Sequence, residues 1–160
     1  MAKRFQNLGA EIREHDTILD DLTRNYAPTL REAIGIGADT AAEMLIVFGD
    51  NPERIHSEAA FSKLCGASPV PASSGMTNRH RLSRAGHREA NAALYRAVIV
   101  RIRFHQPTIA YVTRRTTEGL SKRDIIRCLK RYLAREIYQA VMTDHRRRQP
   151  HQRESVNTES

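Results

Sequence analysis

Residues 30–45 read LREAIGIGADTAAEML and place a glycine-rich turn between two helix-favouring segments. Alanine, leucine and glutamate stand on both sides of Gly35-Ile36-Gly37, and glycine allows the backbone angles that a tight turn requires. Asp39 follows the turn, where an acidic side chain favours the start of a helix. The stretch therefore predicts two helices joined by a short corner, which indicates a helical domain.

The same stretch resembles the helix-hairpin-helix motif, in which the glycines let the second helix present its free N–H groups to a phosphate. On that resemblance Gly35, Ile36 and Gly37 are candidate nucleic-acid contacts, with Ile36 filling the angle between the helices. The alternative is a plain helix corner in which glycine ends a helix. Asp39 would repel a phosphate and so favours this alternative.

The segment before the turn carries a heptad pattern. Its seam positions step alternately by three and four residues, with one histidine among apolar residues: Phe5, Leu8, Ile12, His15, Leu19, Leu22 and Tyr26. This spacing predicts a coiled-coil-like helix over residues 1–27, through which residues 5–26 would join a second chain, either another copy or a full-length relative. The alternative is an amphipathic helix that lies on its own domain, and in either case Ala27-Pro28 ends it.

The remaining sequence predicts an all-α domain over residues 28–142. Ser57 caps a short helix, His87 precedes a mostly buried one, and Ser121 to Asp124 form a capping box before the last helix. Residues 67–75 have the prolines of a surface loop, and a short hairpin near residues 77–82 is the one strand candidate. Residues 143–160 are strongly polar, which predicts a disordered basic tail.

Charge is divided unevenly along the chain. The formal net charge is +8, but residues 1–75 hold seven Lys or Arg against eleven Asp or Glu, whereas residues 76–160 hold nineteen against seven. Seven arginines lie between Arg79 and Arg103, and arginine is suited to bidentate contact with phosphate. We therefore predict a nucleic-acid partner, with phosphate contacts from Arg79, Arg81, Arg84 and Arg88; the alternative is an ordinary solvated face.

Metal, redox and membrane functions have little support in the sequence. Cys65 and Cys128 are far apart and have no histidine or second cysteine at metal-ligand spacing, so we expect two reduced packing residues. No segment approaches the roughly 18 uninterrupted apolar residues of a membrane span. These features predict a cytoplasmic chain with no membrane partner and no metal site.

Ser73 and Ser74 stand before Gly75 and the arginine-rich segment. A serine hydroxyl is a poor nucleophile unless a base accepts its proton or cations stabilise the developing negative charge. The following arginines and histidines provide candidates for both roles. Because Ser-Ser-Gly is also a common turn sequence, the residues alone leave a simple turn as the alternative.

A set of ordered motifs carries a family resemblance. The motifs are Gly-Ile-Gly, Ala-Ala and Gly-Asp; then Ala-Phe, Leu-Cys-Gly and Pro; then Ser-Gly; then Arg-Leu-Ser-Arg-Ala-Gly-His-Arg, Asn and Leu; then Tyr, Arg-Arg-Thr and Gly-Leu-Ser-Lys-Arg. Together they resemble the C-terminal domain of IS110/IS902-type insertion-sequence transposases, from Leu30 to about Tyr138. The preceding helix is similar to the end of the coiled coil that comes before this domain in the family.

The resemblance implies a DNA recombinase whose serine attacks a DNA phosphodiester and becomes covalently linked to it, guided by a structured RNA. Carried onto this sequence, the nucleophile is Ser74, with Ser73 as the alternative register, and residues 79–88 hold the nucleic-acid backbone. Two positions differ from the family's usual pattern: Ile34 replaces a proline, and Met76 replaces a frequent basic residue. The second difference removes one candidate phosphate contact beside the serine.

The resemblance also implies a ribonuclease-H-like domain whose four acids bind magnesium and complete the site. The acids near this N-terminus fall in one heptad helix and predict a solvated face: Glu11, Glu14, Asp16, Asp20 and Asp21. We therefore expect a truncated transposase that needs no cofactor of its own and is inactive alone. The alternatives are a non-enzymatic nucleic-acid-binding module and a dominant-negative regulator of full-length transposase.

Overall fold

The computed structural model describes residues 2–74, 77–82 and 86–156, with side chains placed for residues 3–68 and 86–149. The α-helices are α1 Ala2–Tyr26, α2 Pro28–Glu32, α3 Ala38–Phe48, α4 Glu58–Leu64, α5 Arg88–Phe104, α6 Gln106–Thr117 and α7 Lys122–Val156. A 3-10 turn, Pro52–Arg54, precedes α4, and strands β1 Pro69–Ser74 and β2 Thr77–Leu82 separate α4 from α5. The all-α prediction is confirmed, with one two-stranded hairpin inserted between helices.

The core lies where α2, α3 and α4 pack against α5 and α7. Phe48 and Phe61 stack with ring centroids 4.3 Å apart, and Tyr138 tilts against both rings. The Tyr138 hydroxyl donates a hydrogen bond to the Ile55 carbonyl at 2.9 Å, so the aromatic cluster also fixes the 3-10 turn. Each fully buried large apolar side chain contributes about 1.5–3 kcal/mol relative to exposure, which makes this cluster a main source of stability.

Local capping signals in the sequence are confirmed. The Ser57 side chain accepts a hydrogen bond from the Ala60 N–H at 3.1 Å and begins α4. At the start of α7 the Ser121 hydroxyl accepts from the Asp124 N–H at 3.2 Å and donates to the Asp124 carboxylate. These side chains satisfy backbone donors that a helix leaves unpaired at its first turn.

Helix α1 leaves its heptad seam open. Phe5, Ile12 and Leu22 are 82%, 59% and 60% exposed, whereas Thr23, near the end of the helix, is buried. Helix α1 contacts mainly α2 and α3, and the side chains that it buries lie in its last turns. The side chains of residues 5–15 are therefore not buried against the chain's own domain, and a coiled coil with a second chain stays a prediction.

The expected disordered tail is corrected over residues 143–156, which continue α7 to Val156. Asp144 is 1% exposed, and its carboxylate accepts hydrogen bonds from the Thr29 and Leu30 N–H groups, both at 3.1 Å. Arg148 lies over the Tyr26 ring at 3.8 Å. The segment is polar because it binds the start of α2 rather than an apolar core; residues 157–160 lie outside the described part.

The expected loop at residues 67–75 is also corrected, because Pro69–Ser74 form β1. It pairs antiparallel with β2, from Pro69 opposite Leu82 to Ser74 opposite Thr77. Both strands of a two-stranded sheet are edges, so prolines can occupy positions whose missing N–H is not needed for pairing. The proline content that indicated a loop is therefore compatible with this strand.

Candidate nucleic-acid interface

The two ends of the hairpin meet at a point between α4 and α5, which we call the hairpin root (residues 64–68 and 86–87). A Cβ built on Gly86 would lie 2.3 Å from the Gly66 nitrogen, so a side chain at this position would collide with backbone. Gly66 has a φ of +64°, which favours glycine. The His87 N–H donates to the Leu64 carbonyl at 2.6 Å and closes the root.

Two side chains hold the root to the helices. The Asn91 amide nitrogen donates to the Cys65 and Gly66 carbonyls, both at 2.9 Å, and Lys130 Nζ donates to Asn91 Oδ1 at 2.8 Å. Lys130 is 6% exposed, and burial, followed by the charge of Arg127, lowers its pKa. Lys130 and Asn91 are 39 positions apart in the sequence, so their contact depends on how α7 packs against α5.

The strand register arranges the candidate residues of the hairpin. Ser74 ends β1 opposite Thr77, Ala72 lies opposite Arg79, and Val70 lies opposite Arg81. Because directly opposed residues of an antiparallel pair share a face and successive residues alternate, positions 74, 77, 79 and 81 fall on one face of the ladder. Positions 73, 78 and 80 fall on the other. Arg84, Gly75 and Met76 lie outside the described residues.

The arginines of α5 divide into two groups. Arg88, Arg96 and Arg103 are exposed, and Arg88 opens the helix, where unpaired N–H groups also favour anions. Arg101 is 7% exposed; its guanidinium donates to both Glu136 carboxylate oxygens and to the Ile34 carbonyl, each at 2.6 Å. Arg101 therefore joins the glycine turn to α5 and α7 and is not part of a solvent-facing basic surface.

The structure gives the Gly35-Ile36-Gly37 turn a packing role. Gly35 has a φ of +83°, and a Cβ there would lie 2.8 Å from the Ala97 carbonyl oxygen of α5. Ile36 is 4% exposed, which agrees with a side chain that fills the angle between the helices; its place among the candidate nucleic-acid contacts stays a prediction. Gly37 alone has open space at its Cα.

The charge around this turn also opposes a phosphate. The groove at the start of α3 is lined by Arg96 and by four acids: Asp16, Asp20, Asp21 and Asp39. A hydrogen bond from Arg24 lowers the pKa of Asp20; partial burial opposes this change, and the charges of Arg24 and Arg31 add to it. Asp20 is therefore ionised at neutral pH, and the groove has an excess of negative charge.

Neither cysteine is near a metal-binding cluster in the part of the chain that the structure describes, where no group of three or more His, Cys, Asp or Glu is placed to hold an ion. Burial raises the pKa of the Cys65 thiol to about 12, so the thiol stays protonated. Cys128 is half-buried, and both cysteines are free thiols. The helices within these same residues include none with the length and apolar composition to cross a bilayer.

Comparison with known families matches residues 27–113 to a family described as Transposase IS116/IS110/IS902 family. The matched range is more than half of the 160 residues and runs from the end of α1 into α6, including the hairpin. The chain belongs to the Transposase IS116/IS110/IS902 family. Comparison with curated proteins gives no match.

Membership in the transposase family gives this chain a role related to insertion-sequence transposition. The matched range contains Ser74, Asn91 and the arginines of the hairpin and α5. It ends before α7, whereas the sequence resemblance extended to about Tyr138, so Lys130 and Asp144 lie beyond the match. Sequence reasoning included Asn91 among the family motifs but gave no role to it, to Lys130 or to Asp144, because their partners lie far away in the sequence.

Proposed function

We propose that this transposase chain binds DNA and acts on it through Ser74, in DNA transposition by site-specific recombination. The observation that carries the proposal is the strand register. It puts position 74 at the end of β1 and on the same face of the ladder as Arg79 and Arg81. A serine and two arginines at positions that share one face of a hairpin suit attack on a backbone phosphate.

In the proposed reaction, Ser74 Oγ attacks the phosphorus of a DNA phosphodiester. The new Oγ–P bond forms as the bond from phosphorus to the leaving deoxyribose oxygen breaks, a base takes the serine proton, and the leaving oxygen gains a proton. Arginine stabilises the phosphate oxygens, where negative charge increases in the transition state. Arg79 and Arg81 fill this role in our proposal, and Arg84 and Arg88 bind neighbouring phosphates.

The register also favours Ser74 over Ser73 as nucleophile. Ser73 lies opposite Asn78 and shares its face with position 80, a histidine, and not with Arg79 or Arg81. A shift of one residue along a strand moves a side chain to the opposite face. We therefore assign the nucleophile to Ser74.

The resemblance supports two partners for this reaction. In the family pattern, magnesium-binding acids belong to a ribonuclease-H-like domain, so we propose that this chain cleaves DNA only together with such a domain. A structured guide RNA selects the sites. The acids of that domain would hold magnesium, which would supply charge stabilisation at the phosphate, while the residues of this chain supply the nucleophile and phosphate contacts.

A second candidate function rests on the exposed seam of α1. Phe5, Ile12 and Leu22 are mostly exposed and lie along the predicted heptad seam. Burying such side chains between two helices is favourable by about 25 cal/mol per Å² of apolar surface. We propose that residues 5–26 join transposase subunits; a chain that assembles with full-length transposase in this way regulates it.

The catalytic proposal is tested with labelled recombination-junction DNA, mixed with the chain with and without a family ribonuclease-H-like domain and guide RNA. A protease-sensitive covalent adduct on a denaturing gel is expected only in the complemented reaction. Ser74→Ala should abolish the adduct while leaving DNA binding intact, and Ser73→Ala is the matched control. An adduct that persists in Ser74→Ala contradicts the proposal.

The assembly proposal is tested by sedimentation of Ile12→Glu, on the seam, against Ala10→Glu, which is exposed and lies on the helix face away from the seam. The first substitution should shift the chain toward monomer, and the second should leave its oligomeric state unchanged. Equal effects, or a wild-type chain that is monomeric alone and with full-length transposase, would remove this candidate function.

A further inference from the structure

We propose that Asn91 and Lys130 are positioning residues that set the orientation of the hairpin on the helical domain. We call this pair the Asn91–Lys130 clamp. Its importance for catalysis rests on the proposed role of Ser74, but its effect on the hairpin is a separate property of the fold. The proposal therefore has a readout that does not depend on any reaction.

The hairpin depends on its root for orientation. β1 and β2 make their principal contacts with each other, and they connect to the domain through the segments that follow α4 and precede α5. At the root the Ala67 and Ser68 N–H groups donate to the Ser62 carbonyl at 2.8 and 3.2 Å. Any change in the angle between α4 and the start of α5 is therefore passed to the whole hairpin.

Asn91 fixes that angle by binding the end of α4 from α5. The last carbonyls of a helix lack partners within it, and the Asn91 amide provides both of its N–H donors to Cys65 and Gly66. Its carbonyl oxygen accepts from Lys130. Both amide N–H donors are therefore used, and the two helices are joined directly beside the hairpin.

Lys130 acts through Asn91. An ammonium group only donates hydrogen bonds, so it holds the amide with its oxygen toward α7 and its nitrogen toward the α4 carbonyls. A flipped amide would place nitrogen against the ammonium and oxygen against two carbonyls. A positive charge near the C-terminus of α4 is also favourable, because the carbonyl end of a helix carries partial negative charge.

The clamp couples the orientation of the hairpin to the position of α7. Lys130 lies in α7, Asn91 in α5 and the two accepting carbonyls at the end of α4. A displacement of about 1 Å at a reacting group can reduce a rate by about 100-fold. We therefore expect loss of the clamp to slow adduct formation at Ser74 with little change in DNA affinity, since neither residue is proposed to touch DNA.

Hydrogen exchange on the full chain tests the clamp directly. Asn91→Asp keeps the shape and gives Lys130 a stronger acceptor, but it removes both donors to the α4 carbonyls. Lys130→Met keeps most of the stem and removes the charge. In both variants the amides of Ala67, Ser68 and His87 should exchange about tenfold faster or more, while core amides of α3 change less.

The controls are Asn25→Asp and Lys122→Met, at exposed positions outside the clamp. Root exchange that is unchanged in Asn91→Asp, or that rises only in proportion to exchange throughout the core, would overturn the proposal. The unaltered chain provides a check that needs no variant: its root amides must exchange as slowly as core amides. A freely exchanging root would contradict the clamp even if the variants failed to fold.

The adduct assay separates the clamp from the proposed chemistry. If the clamp orients Ser74, Lys130→Met should slow adduct formation by about tenfold or more, with DNA affinity within about threefold of the unaltered chain. Adduct that survives Ser74→Ala, together with faster root exchange in the clamp variants, would refute the proposed nucleophile and support the clamp. Loss of adduct in Ser74→Ala, together with unchanged root exchange in the clamp variants, would support the proposed nucleophile and refute the clamp.

Discussion

The Gly35-Ile36-Gly37 turn and the hairpin root both use glycine for close backbone approach, but their surroundings differ. Gly35 approaches the Ala97 carbonyl beside Arg101 and a groove with four acids, whereas Gly86 approaches Gly66 next to the start of α5. The first contact fixes helix packing, and the second closes an inserted hairpin. The comparison shows that a glycine-rich turn in the sequence identifies a tight backbone, and that the residues packed around it decide what the turn does in the fold.

The largest expected effect separates the two glycines of the first turn. Gly35→Ala combines a positive φ with a Cβ 2.8 Å from a carbonyl oxygen, so it should lower the free energy of unfolding by about 3 kcal/mol. A Cβ at Gly37 would lie in open space, so Gly37→Ala should lower the free energy of unfolding by less than about 1 kcal/mol. Urea unfolding measures both, and equal losses would show that Gly35 is not confined as described.

Asp144→Ala should have the next largest effect, because it leaves the Thr29 and Leu30 N–H groups without their acceptor at the start of α2. We expect a loss of about 2 kcal/mol in the free energy of unfolding. Asp50→Ala, at an exposed position, is the control. A loss no larger than that of the control would mean that Asp144 in α7 does not stabilise the first turn of α2.

Gly86→Ala examines the second contact. The new Cβ forces the root apart, but the hairpin pairs mainly with itself, so the loss in global stability should be about 1–2 kcal/mol, below that of Gly35→Ala. Exchange of the hairpin amides should increase more than exchange in α3. An increase confined to the helical core would contradict the separation of root and core.

Charge substitutions compare the two regions as nucleic-acid contacts. Arg79→Gln and Arg81→Gln should each weaken DNA binding and reduce the log–log dependence of affinity on salt by about 0.9 for each phosphate that the protein no longer neutralises. Arg96→Gln, in the acidic groove, should leave that slope unchanged. DNA affinity measured over a salt series checks this prediction. A reduced salt dependence for Arg96→Gln would show that the acidic groove also contacts DNA.

The smallest effect concerns pH. The folded-state pKa of Asp20 is lowered, mainly by the hydrogen bond from Arg24, so its stabilising contribution is present above the unfolded pKa of about 4 and lost as pH falls through the folded value. Asp20→Asn should therefore reduce the fall in stability below about pH 4. Acid unfolding of both chains measures the difference, and parallel curves would contradict the shift.

Features determined by nearby residues were predictable from the sequence. The Ser57 and Ser121 caps depend on partners three residues away, and the all-α class follows from helical spacing. The clamp, the Asp144 contact and the Arg101 pair with Glu136 join residues 39, 115 and 35 positions apart. Such contacts depend on how the helices pack, and no local pattern indicates them.

The candidate site shows the same division. Serine, glycine and arginine in sequence, with the family resemblance, were enough to propose Ser74 and the arginine segment. They left Ser73 and Ser74 as alternatives, since both precede the same glycine. The pairing of Ser74 with Thr77 supplies a physical basis for preferring Ser74. Successive residues of a strand alternate between its two faces, and the register with the partner strand decides which residues share a face with Arg79 and Arg81.

Contact between Gly66 and Gly86 has a consequence for how such a domain can vary. The chain leaves and re-enters the helical frame at a single point, so the hairpin of β1 and β2 is attached as an exchangeable cassette. Lengthening a cassette whose ends already meet adds only a slowly growing entropic cost and changes no spacing between helices. A transposase domain built this way can acquire a different hairpin while its helical scaffold stays the same.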